Sequence, residues 1–349
     1  MIVEQLLVAR AATMSPGALA ARRSTTVRIS AVLLACAFTH LIAHPLAAQD
    51  VRATSERERA DVLVERGQLF AAESVYYAAV RTRPKDPWAR LNLARHVMAR
   101  GAAKVASALY EEARFFGADQ RLFAGELAFA YERAGMWRAL AAMPGAPLPR
   151  GEMRRAEWML AHASATRGVD TVEVPWVPVR GDTIALAAIG ATIGNDSAIL
   201  VVDPVIRGVV VDTAWLRRPG VRIFGNGSNL GAFAAVAVID SVAIGGMLLT
   251  NVPARVAPLA QSRGVLVGMD WLGDRAATFD PARGRIALVR MPGDPRAVRG
   301  ARVPTVFTRD GLCLVLDGLV PIAGTGATTV FGLRRWTVLG VRGEIALAP

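Results

Sequence analysis

The stretch AILVVDPVIRGVVVDTAW, residues 198–215, is an apolar run that ends in a single carboxylate, Asp203, directly before Pro204. Two branched aliphatic residues, Val205 and Ile206, come next. Branched aliphatic residues favour β-strands, whereas proline has no backbone N–H and cannot continue a hydrogen-bonded ladder. The stretch therefore predicts a buried strand that ends in a turn at Asp203.

Short apolar runs of the same kind fill the chain on both sides of this strand. Between Trp176 and Met291 there is no Glu and no Lys, and Val, Ile, Gly, Asp and Pro dominate. Gly, Asn and Pro interrupt the runs about every 8–12 residues, which is typical of an all-β barrel or sandwich. Long helical crossovers between the runs are absent, so a doubly wound parallel sheet is excluded.

The order of these runs resembles that of the retropepsin-like aspartic peptidases, in the bacterial secreted branch that joins them to helical repeats. The motifs are ILVVD, GVVVDTAWL, GVLVGMDWL and ATFDPARGRIALV, and the resemblance covers residues 176–292. It implies a β-barrel lobe in which an apolar strand delivers an Asp-Thr-Gly-Ala turn and residues 266–270 thread beneath it. Asp203 aligns with the catalytic acid. Asp270 aligns with a bracing position and is the spare candidate for a second acid.

In that family two acids share one proton, because both cannot ionise at such short range, and one of them activates water. Here Pro204, Val205 and Ile206 replace the Thr, Gly and Ala of the turn. Proline lacks the hydroxyl and the N–H, and valine is a poor substitute where glycine is needed. We expect a degenerate peptidase that no longer cleaves. The alternative is an active aspartic endopeptidase that works as a homodimer through Asp203.

A second turn of the same kind is predicted near the end of the chain. Gly324-Thr325-Gly326 matches the turn except that Gly324 stands in place of the acid, and its offset of 121 from Asp203 equals the offset between Trp215 and Trp336. After a linker at 293–302, residues 303–349 are therefore predicted to be a partial second retropepsin-like lobe, or strands added to the first. The alternative is a Gly/Thr-rich hairpin without such a relationship.

Residues 57–143 have helical spacing and repeat every 34 residues. Gly67, Gly101 and Gly135 are 34 apart, as are four other pairs: Ala72 and Ala106, Tyr76 and Tyr110, Ala79 and Ala113, Leu93 and Leu127. This period resembles the tetratricopeptide repeat. We expect an N-terminal α-solenoid, with a capping helix and linker at 144–175. The predicted fold class is multidomain, an α-solenoid followed by an all-β part.

The repeat resemblance places Trp88, Asn92 and Arg95 on the concave face that holds a peptide or a protein partner. The alternative is that they are ordinary surface residues of a short packing spacer. A third possibility is a purely structural envelope protein, which would bind no peptide.

The first 48 residues are predicted to be a signal peptide, followed by a linker at 49–56. Arg22, Arg23 and Arg28 precede the apolar run ISAVLLACAFTHLIAHPLAA, which is typical of a secretory signal. We therefore expect export to the periplasm or cell envelope. An uncleaved membrane anchor and a lipid on Cys36 are the alternatives.

Composition excludes several function classes. The net charge is +12, but the arginines are scattered among acids, so a nucleic-acid partner is not expected. Of the four histidines, His40 and His44 would leave with the signal. We therefore expect no metal, no cofactor and no Ser/His/Asp triad. Only Cys313 would remain after the signal is removed, which excludes an intrachain disulfide.

Overall fold

The computed structural model describes residues 44–143, 148–175, 187–225, 235–259, 264–271, 275–291, 300–308, 311–316, 319–322, 336–338 and 344–347. Backbone contacts divide the chain into two units, Met1–Ala47 and Ala48–Pro349. The second unit holds both sheets and the helices that pack against them.

The N-terminal part of the described chain is helical. Its helices are α1 His44–Glu65, α2 Leu69–Thr82, α3 Pro87–Ala99, α4 Ala103–Phe115, α5 Ala124–Ala134, α6 Trp137–Ala141 and α7 Arg150–Ala161. Gly67, Gly101 and Gly135 follow α1, α3 and α5 with φ of 74°, 84° and 68°. Glycine adopts this left-handed conformation at little cost, so each glycine turns the chain into the next helix.

The positions that repeat every 34 residues form the helical core. Ala72 and Ala106 are fully buried, and Tyr76 and Tyr110 are 4% and 1% exposed. Because alanine has only a methyl group, the paired helices approach closely while each tyrosine fills the space beside it. The predicted linker at 49–56 lies within α1 instead, since its sequence QDVRATSE contains Gln, Arg, Ala and Glu, which favour helices.

Eight strands form the first sheet, in the order β1-β8-β5-β9-β4-β3-β7-β6. Their bounds are β1 Ala165–Gly168, β3 Ala187–Ile193, β4 Asp196–Val202, β5 Val209–Asp212, β6 Val221–Gly225, β7 Ala235–Ile244, β8 Met247–Ala257 and β9 Val265–Val267. A further pairing between β7 and β8 closes six of these strands into a barrel. The predicted barrel is confirmed in this coarse form.

The remaining strands form a second sheet, in the order β14-β13-β12-β16-β15-β10-β11-β2. Their bounds are β2 Thr171–Pro175, β10 Arg275–Asp280, β11 Arg285–Arg290, β12 Ala301–Thr308, β13 Gly311–Val315, β14 Leu319–Pro321, β15 Trp336–Val338 and β16 Glu344–Leu347. β structure thus begins at Ala165, ahead of the boundary predicted at 176. The strands after residue 300 join this sheet through the pairing of β15 with β10.

One hydrophobic core serves both sheets. It contains barrel residues such as Ile189 and Val211, together with Phe279 and Ile286 of the second sheet. Several strands are buried along their whole length, including β5, β9 and β10. Strands covered on both faces read as continuous apolar runs, which explains the absence of alternation in this part of the sequence.

Smaller apolar clusters join the helices to the sheets. Met159 of α7 packs against Phe224 and Val236 of the barrel. Leu69 of α2 packs against Val306 and Cys313 of the second sheet. The helices and the sheets therefore share buried surface at two separate places.

The end of β9 threads beneath the loop that follows β4. β4 and β9 run parallel, and the Gly268 N–H donates to the carbonyl of Gly208 at 2.7 Å. A Cβ on Gly268 would fall on the carbonyl oxygen of Ile206 and within 2.9 Å of its carbon. The threading therefore requires a residue with no side chain at this position.

Replacing Gly268 by alanine should strongly destabilise the barrel. We expect the free energy of unfolding to fall by about 1–3 kcal/mol, because the methyl group displaces backbone that has no room to move. Urea unfolding followed by tryptophan fluorescence measures this loss. Gly190→Ala in β3 is the matched control, since a Cβ there meets nothing within 4 Å. An equal loss in both variants would contradict the threading.

His96 should make the helical part less stable in acid. It is 6% exposed, lies 5.3 Å from the Tyr76 ring, and its Nε2 has no hydrogen-bond partner among the described residues. Burial lowers the pKa of His96 below its usual 6.5, against an opposing effect of Glu73. Below that pH the unfolded histidine binds a proton that the folded one refuses, so stability is lost as the pH falls, by at most about 1.4 kcal/mol per pH unit.

The His96→Phe variant should lose this part of the pH dependence, because phenylalanine keeps a ring beside Tyr76 and does not titrate. Thermal unfolding between pH 7 and pH 5 measures the effect. His162→Gln at an exposed position should retain the wild-type slope. If His96→Phe leaves the pH dependence of the unfolding temperature unchanged, His96 is not its source.

Candidate functional site

Asp203 lies directly after β4 and is 5% exposed. Its N–H donates to the carbonyl of Val267 at 2.9 Å, which continues the β4–β9 pairing by one residue. The apolar strand thus carries the carboxylate into the interior. Val201, Val210 and Leu266 form a small apolar cluster on the strands that surround this position.

The backbone after Asp203 folds back onto its own carboxylate. The Val205 N–H donates to Asp203 Oδ1 at 2.8 Å, and the Ile206 N–H donates to the Asp203 carbonyl at 3.3 Å. This is an Asx turn, in which an aspartate side chain replaces a backbone acceptor. Proline suits the first position of such a turn, because its fixed φ is already correct and no N–H is needed there. At least one oxygen of the acid is therefore engaged in holding the turn.

The chain's own later strands cover this turn. The Leu312 N–H in β13 donates to the carbonyl of Pro204 at 2.9 Å. Gly311 has φ of 97°, and a Cβ on it would lie 2.8 Å from the Cα of Val205. The β12–β13 hairpin therefore packs directly against Pro204 and Val205.

Asp270 supports the loop from the other side. Its Oδ1 accepts from the Gly208 N–H at 2.8 Å, and its Oδ2 lies 3.0 Å from Arg133 of α5. Asp270 thus ties the threaded segment to the loop and also to a helix. These contacts hold the loop in place, and a role of Asp270 in catalysis stays a prediction.

Two further acids have structural partners, Asp212 of β5 in the barrel and Asp280 of β10 in the second sheet. Asp212 accepts from the N–H groups of Ala214 and Leu259, each at 2.7 Å, and so caps the short helix that follows β5. Asp280 accepts from the Arg283 N–H in the turn between β10 and β11. These contacts fit roles at strand ends.

The three residues predicted for peptide binding lie along α3. Two of them, Asn92 and Arg95, are buried or paired within the chain. Asn92 is 6% exposed. Arg95 forms a bidentate pair with Glu126 of α5 at 2.8 and 2.9 Å, and Glu126 also accepts from the Tyr110 hydroxyl at 2.9 Å. Trp88 is half-buried against the helical core. Peptide binding by these residues stays a prediction.

A group of ion pairs that was not predicted from the sequence joins the helices to the barrel. Glu132 of α5 accepts from Arg155 of α7 at 2.7 Å and from Arg255 of β8 at 2.8 Å. Burial raises the pKa of Glu132, but the two guanidinium groups outweigh it and hold the pKa well below its usual range. Arg155 is fully buried and also pairs with Glu152 at 2.9 Å.

Two predicted features lie outside the described residues. These are the Gly324-Thr325-Gly326 turn and residues 1–43 of the predicted signal peptide, which include Cys36. Among the residues that the structure does describe, no group of three or more His, Cys, Asp or Glu side chains could hold a metal ion. Within the same residues, no helix has the length and apolar character needed to span a membrane.

Comparison with solved structures gives likenesses that include the following two. The chain is similar to a retropepsin-like aspartic protease from Rickettsia conorii, with 16% identity and a TM-score of 0.26, over 36% of this chain and 93% of that one. It is also similar to conglutin gamma, a basic 7S globulin from lupine seeds, with 11% identity and a TM-score of 0.22, over 40% of this chain and 44% of that one. No family model matches the chain, and no curated protein matches it.

Proposed function

We propose that the chain is an exported, non-cleaving relative of the aspartic peptidases that binds a peptide or protein partner in the periplasm or cell envelope. In this proposal the helices form a tetratricopeptide-like array and the barrel is a retropepsin-like lobe with a degenerate turn. The predicted signal at 1–48 would direct the export. No metal or cofactor takes part.

The position of Asp203 carries the proposal. A catalytic acid of this class must face a second acid and a water molecule. Here Asp203 Oδ1 accepts from Val205, the acid is 5% exposed, and Leu312 holds the turn closed from above. A second chain could present its own Asp203 only after the β12–β13 hairpin had moved away.

The strand edges support a binding role. Within the described part of the chain, β1 and β14 are each paired on one side only. An extended peptide can add to such an edge through backbone hydrogen bonds, without any catalytic group. The half-buried Trp88 on α3 offers a second contact of the kind that anchors peptides.

One observation favours the alternative, an active aspartic endopeptidase that works as a homodimer. Asp203 remains at the end of its strand, and Gly268 and Asp270 still hold the loop from below. This support would keep an acid in place if the hairpin opened.

The protein should not cleave unfolded casein between pH 3 and pH 7. The reason is that the turn around Asp203 cannot place two acids around one water. Release of soluble peptides over several hours measures cleavage, with pepstatin and Asp203→Asn as controls. Cleavage that disappears in Asp203→Asn would establish the homodimeric peptidase and end the proposal.

The protein should instead bind casein peptides without cleaving them. Fluorescence anisotropy of labelled peptides gives the dissociation constant. Trp88→Ala should raise it about tenfold, the effect of removing one aromatic anchor. Phe115→Ala is the matched control, because this ring is 83% exposed, and it should leave the constant unchanged. If wild type and Trp88→Ala are both folded by circular dichroism and bind the peptides equally, the surface of α3 that carries Trp88 is not the binding site.

A further inference from the structure

A small cavity lies where α5, the loop after Asp203 and β8 meet. Its volume is about 60 Å³. Its apolar walls include Phe129, Val209, Val252 and Trp271. Its charged walls are Arg133, Arg207, Arg255 and the carboxylate Glu132. A space of this size holds a few water molecules or one small anion.

The charged groups around the cavity do not balance. There are four guanidinium groups and three carboxylates, and most of them are paired: Arg133 with Asp270, Arg155 with Glu132 and Glu152, and Arg255 with Glu132. The fourth guanidinium belongs to Arg207. The cluster therefore has a surplus of one positive charge.

Arg207 carries that surplus. Its Nη1 donates to the carbonyl of Met98 at 3.4 Å, and its guanidinium lies 4.1 Å from the Phe307 ring and 5.8 Å from the Phe129 ring. In the described part of the chain no carboxylate comes within 4.0 Å of it. Arg207 is half-buried, and burial lowers its pKa to about 10 against an opposing effect of Asp270, so the group is charged at neutral pH.

We propose that this cavity binds a carboxylate group, with the Arg207 guanidinium as its principal contact. The planar guanidinium matches a carboxylate with two parallel hydrogen bonds. A single surplus charge suits a monoanion, whereas a phosphate dianion would leave uncompensated negative charge. The proposal does not depend on whether the chain cleaves peptides.

The carboxylate could come from a free small acid or from the C-terminus of a peptide. Isothermal titration calorimetry at pH 7 distinguishes them, with three probes at constant ionic strength: acetate, N-acetyl-alanyl-alanine and the amide of that dipeptide. Binding of acetate alone indicates small acids. Binding of acetate and of the dipeptide acid, but not of its amide, indicates peptide ends. Absence of acetate binding overturns the proposal.

The site is tested with variants of Arg207. Arg207→Gln should weaken acetate binding about tenfold or more, the loss expected when one charged hydrogen-bond donor is removed. Arg207→Lys keeps the charge but cannot form two parallel hydrogen bonds, so its affinity for acetate should lie between those of the wild type and Arg207→Gln. This variant tests the site if Arg207→Gln does not fold. Arg217→Gln at an exposed position should bind like the wild type. Equal affinities in wild type and both Arg207 variants, or tighter binding of inorganic phosphate than of acetate, would overturn the proposal.

Discussion

The passage of Gly268 beneath the loop from Asp203 to Gly208 is the constraint on which the barrel depends. Two backbone hydrogen bonds fix it, from Asp203 to Val267 and from Gly268 to Gly208. The approach is so close that only glycine fits. Because β4 and β9 run parallel here, a loop has to cross over a strand, and the acid at the end of β4 is thereby fixed in the interior.

The same loop places an acid at the end of β4 directly before a turn that packs against later strands of the chain. Pro204 and Val205 form a turn that consumes one oxygen of the carboxylate, and the β12–β13 hairpin closes over that turn. Two acids that share one proton must lie within hydrogen-bond reach of each other. Here the hairpin packs directly on the turn that follows Asp203.

The barrel could be predicted because its evidence is local. Apolar runs with turn residues between them indicate strands, and Gly268 and Asp270 lie in a motif whose geometry is short-range. Two features could not be predicted. One is the packing of β13 on Pro204, because β13 lies more than a hundred residues later in the chain. The sequence around Gly311 does not indicate which residues it contacts. Arg207 looks like an ordinary solvated arginine, because its burial depends on α5 and β12 packing beside it.

The ion pairs of Glu132 with Arg155 and Arg255 have a consequence for the history of the molecule. Glu132 lies in α5 and Arg255 lies in β8, so separating the helices from the barrel would break a largely buried ion pair. Helical repeats and barrels are often exchanged between proteins as independent modules. In this chain such shuffling would be penalised, so the two parts are expected to have been inherited together and to tolerate recombination poorly at their junction.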